Sequence, residues 1–342
     1  MADGRGREVG GGPAGGIAVA AAGDVVLARE DPAAAFARMA PLLRGADLRV
    51  ANCEVPLSNR GTPQHAKHEV LHSGPEMIAG FAAAGLDVVS LANNHTMDYG
   101  PEALLETIER LGRHGIACCG AGADDAAAWR PAVVERRGLR VGFVACASET
   151  YLGYAAHPSK PGIAAIRRDA LYGPQGVNPD DLGRLAESLR AARRAADVAV
   201  LCCHWGLSQS RALTVSQRAI ARAALRAGAH LILGHHPHVL QGIQVAGRRA
   251  VCFSLGNFVF DLPPPFLGPA TRETMLVLAR MDRAGVAGLA FHPARINAAG
   301  QPEPLRPRSK DFAEAVARMR RLCAPLRTRL VVQGSGVAAR RA

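Results

Sequence analysis

The sequence predicts an α/β fold, and three observations carry that expectation. Short apolar runs alternate with stretches of helical periodicity through most of the chain. Six of those runs end in tight polar clusters, as strands do where they feed a ligand crevice. No run approaches the ~18 uncharged apolar residues of a membrane-spanning helix. The apolar 49% of the 342 residues is therefore available for a core. A chain of this length buries most of the surface its unfolded state exposes and needs no disulfide staples. The same composition excludes collagen-like, coiled-coil and fully disordered readings.

Residues 1–16, glycine-rich and polar, are expected to form a disordered tail. The first apolar run, Ile17 to Ala22, leads directly into Gly23-Asp24 without a cleavage pattern. It is too short for a secretory signal, which makes a soluble cytoplasmic protein the expectation. Strands are expected at 17–27, 48–55, 87–92, 141–147, 198–203, 230–234 and 250–255. Helical spacing marks 76–84, 101–114, 182–196 and 214–227. Pro101, Glu102 and Glu106 suit a helix start, while Gly115 and Gly228 suit helix stops. Two stretches read as hairpins, 132–146 turning near Arg137-Gly138 and 243–253 turning at Gly247. Segment 148–180 carries His157-Pro158, Lys160-Pro161-Gly162 and Gly173-Pro174, and reads as a long surface loop or lid. A second proline-rich stretch runs from Leu262 to Pro269. One domain is expected over 17–300. Beyond it, 301–308 reads as a linker, 309–323 as a helix, and the last dozen residues of the basic tail are expected to fray.

The chain carries 41 basic and 29 acidic residues, a formal charge of +12, and only Lys67, Lys160 and Lys310 are lysines. The arginines lie along helical stretches nearly free of aromatics, so they read as solvated faces and not as a nucleic-acid footprint. An anionic substrate fits the charge. Eight cysteines form no C-x-x-C pair and are expected to be free thiols in a reducing cytosol.

The polar clusters at the strand ends carry the functional signal. They place Asp24, Glu54, Asn94, His95, His204, His235, His236, His238 and Asn257 on one rim. Taken singly, each has an ordinary account. Gly23-Asp24 makes a turn, Glu54 a rim carboxylate, Asn93-Asn94-His95 an Asx turn, and His204 a core imidazole. Three imidazoles within Gly234-His235-His236-Pro237-His238 are harder to place without a cation. Together, at six successive strand ends, the clusters form a metal inventory. Nitrogen and oxygen donors without thiolate suit Mn, Fe, Zn or Co better than a lone Ca or Mg.

The series GD, N-x-E-x-P-L, SLANNHxxDxG, HWG, GHHPHVLQG and SLGNFVFD, from Ala18 to Asp261, resembles the CapA family. That family is associated with poly-γ-glutamate capsule synthesis and belongs to the calcineurin-like metallophosphoesterase superfamily. The resemblance implies a four-layer αββα sandwich holding one or two divalent transition-metal ions (Mn, Fe, Zn or Co). It implies Asp24, Glu54, Asn94, His204, His236 and His238 as ligands, Glu54 standing where the superfamily has a bridging aspartate. His95 becomes the non-ligating acid, oriented by Asp98. His235 falls outside the His-x-His spacing, in an outer position or facing solvent. The superfamily's opening Asp-x-His is absent, since Val25 and Val26 follow Asp24. One metal position therefore lacks an imidazole. Lys67, Trp205 and Asn257 are weaker candidates for substrate contact.

These expectations add up to a metal-dependent hydrolase, with metal-activated water attacking a phosphoester or an amide. Its substrate would be an anionic or peptide-like small molecule. Capsule-polymer relatives usually carry an N-terminal membrane anchor, and none is read here, which favours a soluble enzyme on a small molecule or peptide intermediate. The competing expectation is a non-catalytic assembly factor working with an amide ligase.

Overall fold

A computed structural model describes residues 16–65, 67–174, 176–262 and 268–342. The glycine-rich tail up to residue 15 and positions 263–267 of the proline-rich stretch lie outside the described residues.

Two sheets stack face to face. In the first, the order is Thr328–Gln333, Gly336–Arg341, Gly285–Ile296, Glu273–Asp282, Ile17–Val26, Leu48–Cys53, Val88–Ser90, Ala117–Cys119. The last four run parallel, while Ile17–Val26 and Glu273–Asp282 pair antiparallel. In the second, the order is Ile243–Ala246, Arg249–Cys252, Leu231–His235, Val198–His204, Leu139–Ala147, Ala132–Arg136. The Ala132–Arg136 and Ile243–Ala246 strands make the two expected hairpins.

Strand Val198–His204 shows why the layers stack. Successive strand residues face opposite sides. Val198, Val200 and Cys202 enter the core between the sheets, while Ala199, Leu201 and Cys203 enter a second core under helices Pro179–Ala195 and Val215–Arg226. Phe36, Leu43, Phe81, Leu104 and Leu111 cover the first sheet from short helical segments and from helix Gly100–Arg113. The result is a four-layer αββα sandwich. All eight cysteines are free thiols.

Local chemistry fixes the helix starts. Asn178 Oδ1 accepts from the amides of Asp180 (2.9 Å) and Asp181 (3.1 Å), and Pro179 occupies the first turn. The helix expected from 182 therefore begins three residues earlier. A capping box between Thr214 and Gln217 opens the next helix.

Three expectations need correction. The tail does not fray. Thr328–Gln333 and Gly336–Arg341 form a hairpin that pairs with Gly285–Ile296, with Leu330, Val337, Ala338 and Ala339 buried and Arg329, Arg340 and Arg341 exposed. Segment 148–180 is tied down rather than free. Gly162–Ile163 pairs with Ala121–Gly122, and Tyr154, Ala164 and Ile166 are buried. Asn257 does not close the 250–255 run. That strand stops at Cys252, Gly256 turns at φ +70°, and Asn257 opens a new strand beside Asp24. Backbones touch here: the Asp24 amide donates to Gly256 O (3.0 Å), and a Cβ on Gly23 would lie 1.8 Å from that oxygen.

Candidate metal centre

Both sheets deliver strand ends to one rim, and the donors meet there. Asp24 closes on three sides. Its Oδ1 accepts from Asn52 Nδ2 (2.9 Å), its Oδ2 accepts from the His236 amide (3.2 Å), and His238 Nδ1 stands 3.6 Å from Oδ2. Glu54 lies next to it, fully buried, and neither carboxylate oxygen has a hydrogen-bond partner. His238 Nε2 is 3.8 Å and His204 Nε2 is 4.0 Å from Glu54 Oε1. His204 Nε2 also meets Asn94 Oδ1 at 2.7 Å and His236 Nδ1 at 3.1 Å. Asp24, Glu54 and His238 offer ligand atoms within 4.8 Å of one another.

The electrostatics suit a cation. Burial, then the negative charge of Asp24, pushes the Glu54 carboxyl well above the usual carboxylate range. Burial opposes ionisation of Asp24 too, yet its contacts with His235, the charge of His238 and the His236 amide hold its pKa below the usual value. Burial and the neighbouring His238 hold His236 down to about 3, and burial and the same histidine cluster hold His204 well below the usual value. These are neutral imidazoles with lone pairs to offer. An orphaned buried carboxylate facing such imidazoles is costly by itself and fits a bound divalent ion. His236 (φ +91°) and His238 (φ +57°) both adopt left-handed backbone, uncommon for non-glycine residues and concentrated at functional sites.

Beside this cluster sits a second network centred on Asp98. His95 Nδ1 lies 2.7 Å from Asp98 Oδ2, as its spacing predicts. Asp98 also accepts from Lys67 Nζ (2.6 Å), Tyr154 Oη (2.8 Å) and the Leu71 amide (2.7 Å). Lys67 further donates to Asn94 O (2.6 Å) and stands 2.9 Å from His95 Nδ1. Burial, with help from the Lys67 charge, lowers the His95 pKa against the opposing pull of Asp98, so the ring is neutral at pH 7. With Nδ1 occupied, Nε2 is the nitrogen left for chemistry. Asn93, adjacent to Asn94, turns away from the cluster: its Oδ1 accepts from the amides of His95 (3.0 Å) and Thr96 (2.8 Å) and locks the turn.

The weaker substrate candidates are placed differently from expectation. Trp205 is completely buried, stacks on Phe253, and donates its indole N–H to Phe253 O at 2.8 Å, so it has no surface to offer a substrate. Lys67 is nearly buried and holds the His95–Asp98 pair from beneath. Asn257 is buried as well, with Oδ1 2.8 Å from His238 Nδ1 and Nδ2 donating to Thr271 O at 3.2 Å, so it orients an imidazole. Tyr154 and Asn52 were missed; of the two placements open to His235, the structure shows the outer one, buried beside Asp24. Asn52 belonged to a readable signal, since it begins the N-x-E-x-P-L motif; Tyr154 had none.

Residues 14–262 match the family described as bacterial capsule synthesis protein PGA_cap. The chain belongs to this family. PGA_cap relatives include the PGA biosynthesis protein CapA of Bacillus subtilis (strain 168), 28% identical over 273 residues, covering 79% of this chain and 67% of that protein. The capsule biosynthesis protein CapA of Bacillus anthracis is 29% identical over 79% of this chain and 63% of its own length. A protein named probable polyglutamine synthesis accessory protein in Mycobacterium tuberculosis (strain CDC 1551 / Oshkosh) is 30% identical, over 63% of this chain and 56% of its own. The alignments therefore leave a third or more of each relative unmatched. Among the described residues of this PGA_cap chain, no helix is long and apolar enough to cross a membrane.

Proposed function

We propose that the chain is a metal-dependent hydrolase acting on a phosphoester or an amide bond of an anionic or peptide-like small molecule. The observation that carries this reading is Glu54, a fully buried carboxylate with both oxygens unpartnered, set between His238 and His204. Asp24, Glu54, Asn94, His204, His236 and His238 would hold one or two divalent transition-metal ions. A bound ion of this kind lowers the pKa of its water towards neutrality and polarises a phosphoryl or acyl oxygen. His95 Nε2 would take up the proton released by the attacking water and pass it to the leaving group, help typically worth about 10²–10⁴-fold. Asp98 and Lys67 fix the ring by their contacts at Nδ1, and Tyr154 ties segment 148–180 to the same carboxylate.

A second reading is supported by the name of the mycobacterial relative, a probable polyglutamine synthesis accessory protein. Here the chain assists an amide ligase that makes a glutamate-type polymer and turns nothing over itself. One experiment separates the two: elemental analysis of metal per chain for the wild type and the His236→Ala/His238→Ala double mutant, with phosphoester and amide panels on the same samples. Metal near one or two ions, lost in the mutant together with hydrolysis, supports the enzyme. Metal without hydrolysis, and stoichiometric co-purification with a ligase, supports the accessory role.

A further inference from the structure

His235 is the last residue of strand Leu231–His235, and its backbone is fixed. It pairs in register with His204, and its carbonyl accepts from the Trp205 amide at 3.1 Å. Its ring is 1% exposed, so it does not face solvent, and neither ring nitrogen has a hydrogen-bond partner. A buried imidazole left this way is costly and calls for an explanation. Asp24 Oδ1 lies 3.1 Å from its Nδ1, at ion-pair distance but off hydrogen-bond alignment.

The two oxygens of Asp24 have different surroundings. Oδ1 takes Asn52 Nδ2 at 2.9 Å and faces His235, whereas Oδ2 takes the His236 amide and faces His238. The ligand-atom cluster of Asp24, Glu54 and His238 does not include His235. His235 thus stands behind the carboxylate.

We propose that His235 positions Asp24 for a metal ion, donating Nδ1–H to Oδ1 and so turning Oδ2 towards the cluster. This rests on the metal-centre reading above. With Asn52 Nδ2 on the same oxygen and the His236 amide on the other, the carboxylate is then held at both ends. His235 is a positioning residue and touches neither substrate nor reacting atoms.

The test is Co²⁺ affinity by competition with a chromophoric chelator, read together with the visible spectrum of the Co²⁺ protein, for wild type, His235→Ala and His235→Asn. Outer hydrogen-bond partners of metal ligands typically contribute about 10–100-fold in affinity. His235→Ala is expected to weaken Co²⁺ binding by that factor. His235→Asn, whose amide N–H can reach the place of Nδ1–H, is expected to restore most of the loss and keep the wild-type spectrum. Wild-type affinity in His235→Ala would reduce His235 to packing and overturn the proposal. Asparagine binding as weakly as alanine, with an altered spectrum, would make the ring itself a ligand and overturn it equally. Absence of Co²⁺ binding by the wild type would instead remove the metal-centre reading on which all of this stands. Thermal melts of the chelator-treated variants confirm that each is folded.

Discussion

Glu54→Gln in metal-free protein gives the sharpest test of the centre, because the sign of its effect reverses when metal is added. In the absence of a cation, the buried Glu54 carboxyl has a pKa well above its ordinary 4.5, from burial first and the Asp24 charge second. For an acid raised on folding, the native state binds more protons than the unfolded chain between the two pKa values. Stability therefore falls as pH rises through that window, by ~1.4 kcal/mol per pH unit. His95, His204 and His236, all lowered by burial, act in the opposite direction below the ordinary histidine value of 6.5. They are common to both proteins, so the difference between wild type and Glu54→Gln isolates the carboxylate. Urea unfolding in EDTA over a pH series above 4.5, followed by circular dichroism, should show the variant gaining on wild type as pH rises, by up to ~1.4 kcal/mol per unit. Adding Mn²⁺ should reverse the ranking, since a ligand at about 100 times its Kd stabilises by ~2.7 kcal/mol and only wild type keeps the carboxylate. Parallel pH dependence in the two proteins, or equal stabilisation by Mn²⁺, would refute the assignment of Glu54.

Three further outcomes follow from the neighbouring networks. His95→Ala should retain the wild-type metal content by elemental analysis while its turnover falls about 10²–10⁴-fold; unchanged turnover on a substrate identified by the panels would remove His95 from the chemistry. Tyr154→Phe removes one of the donors to the buried Asp98 carboxylate, and chemical denaturation should register a loss of about 1.5–3 kcal/mol. Trp205→Phe leaves Phe253 O without its indole donor and should cost about 1–3 kcal/mol in the same assay, with KM unchanged because Trp205 has no exposed surface.

The parts of the fold and site that were legible in the sequence share one property: they are written in adjacent residues. The apolar run at 198–203, the Arg137-Gly138 turn and the polar strand ends at Asp24, Glu54, Asn94, His204, His236 and His238 each occupy a short window. The i,i+3 spacing of His95 and Asp98 belongs here as well. The frayed-tail expectation failed because basic residues at 329, 340 and 341 masked the buried run of Leu330, Val337, Ala338 and Ala339. Asn257 was assigned to the wrong strand because an apolar run continued through a passage from one sheet to the other that only Gly256 marks.

What could not be read is the support that arrives from far along the chain. Asp98 collects Lys67, 31 residues before it, and Tyr154, 56 residues after it, while Asp24 collects Asn52 and the His236 amide from two different sheets. No periodicity encodes such encounters, since they depend on how loops and strands close in space. The same distinction explains why Trp205 misled. Beside His204 in sequence, it was expected at the rim; but successive residues at a strand end point to opposite faces, so the ligand-like His204 sends its neighbour into the core beneath the helices. Adjacency in a strand thus argues against a shared role. Residues two apart keep the same face only while the strand stays regular. His236 and His238 have left the strand, and positive φ at both brings their rings together, with centroids 5.6 Å apart. Their convergence is a property of that turn and not of strand periodicity.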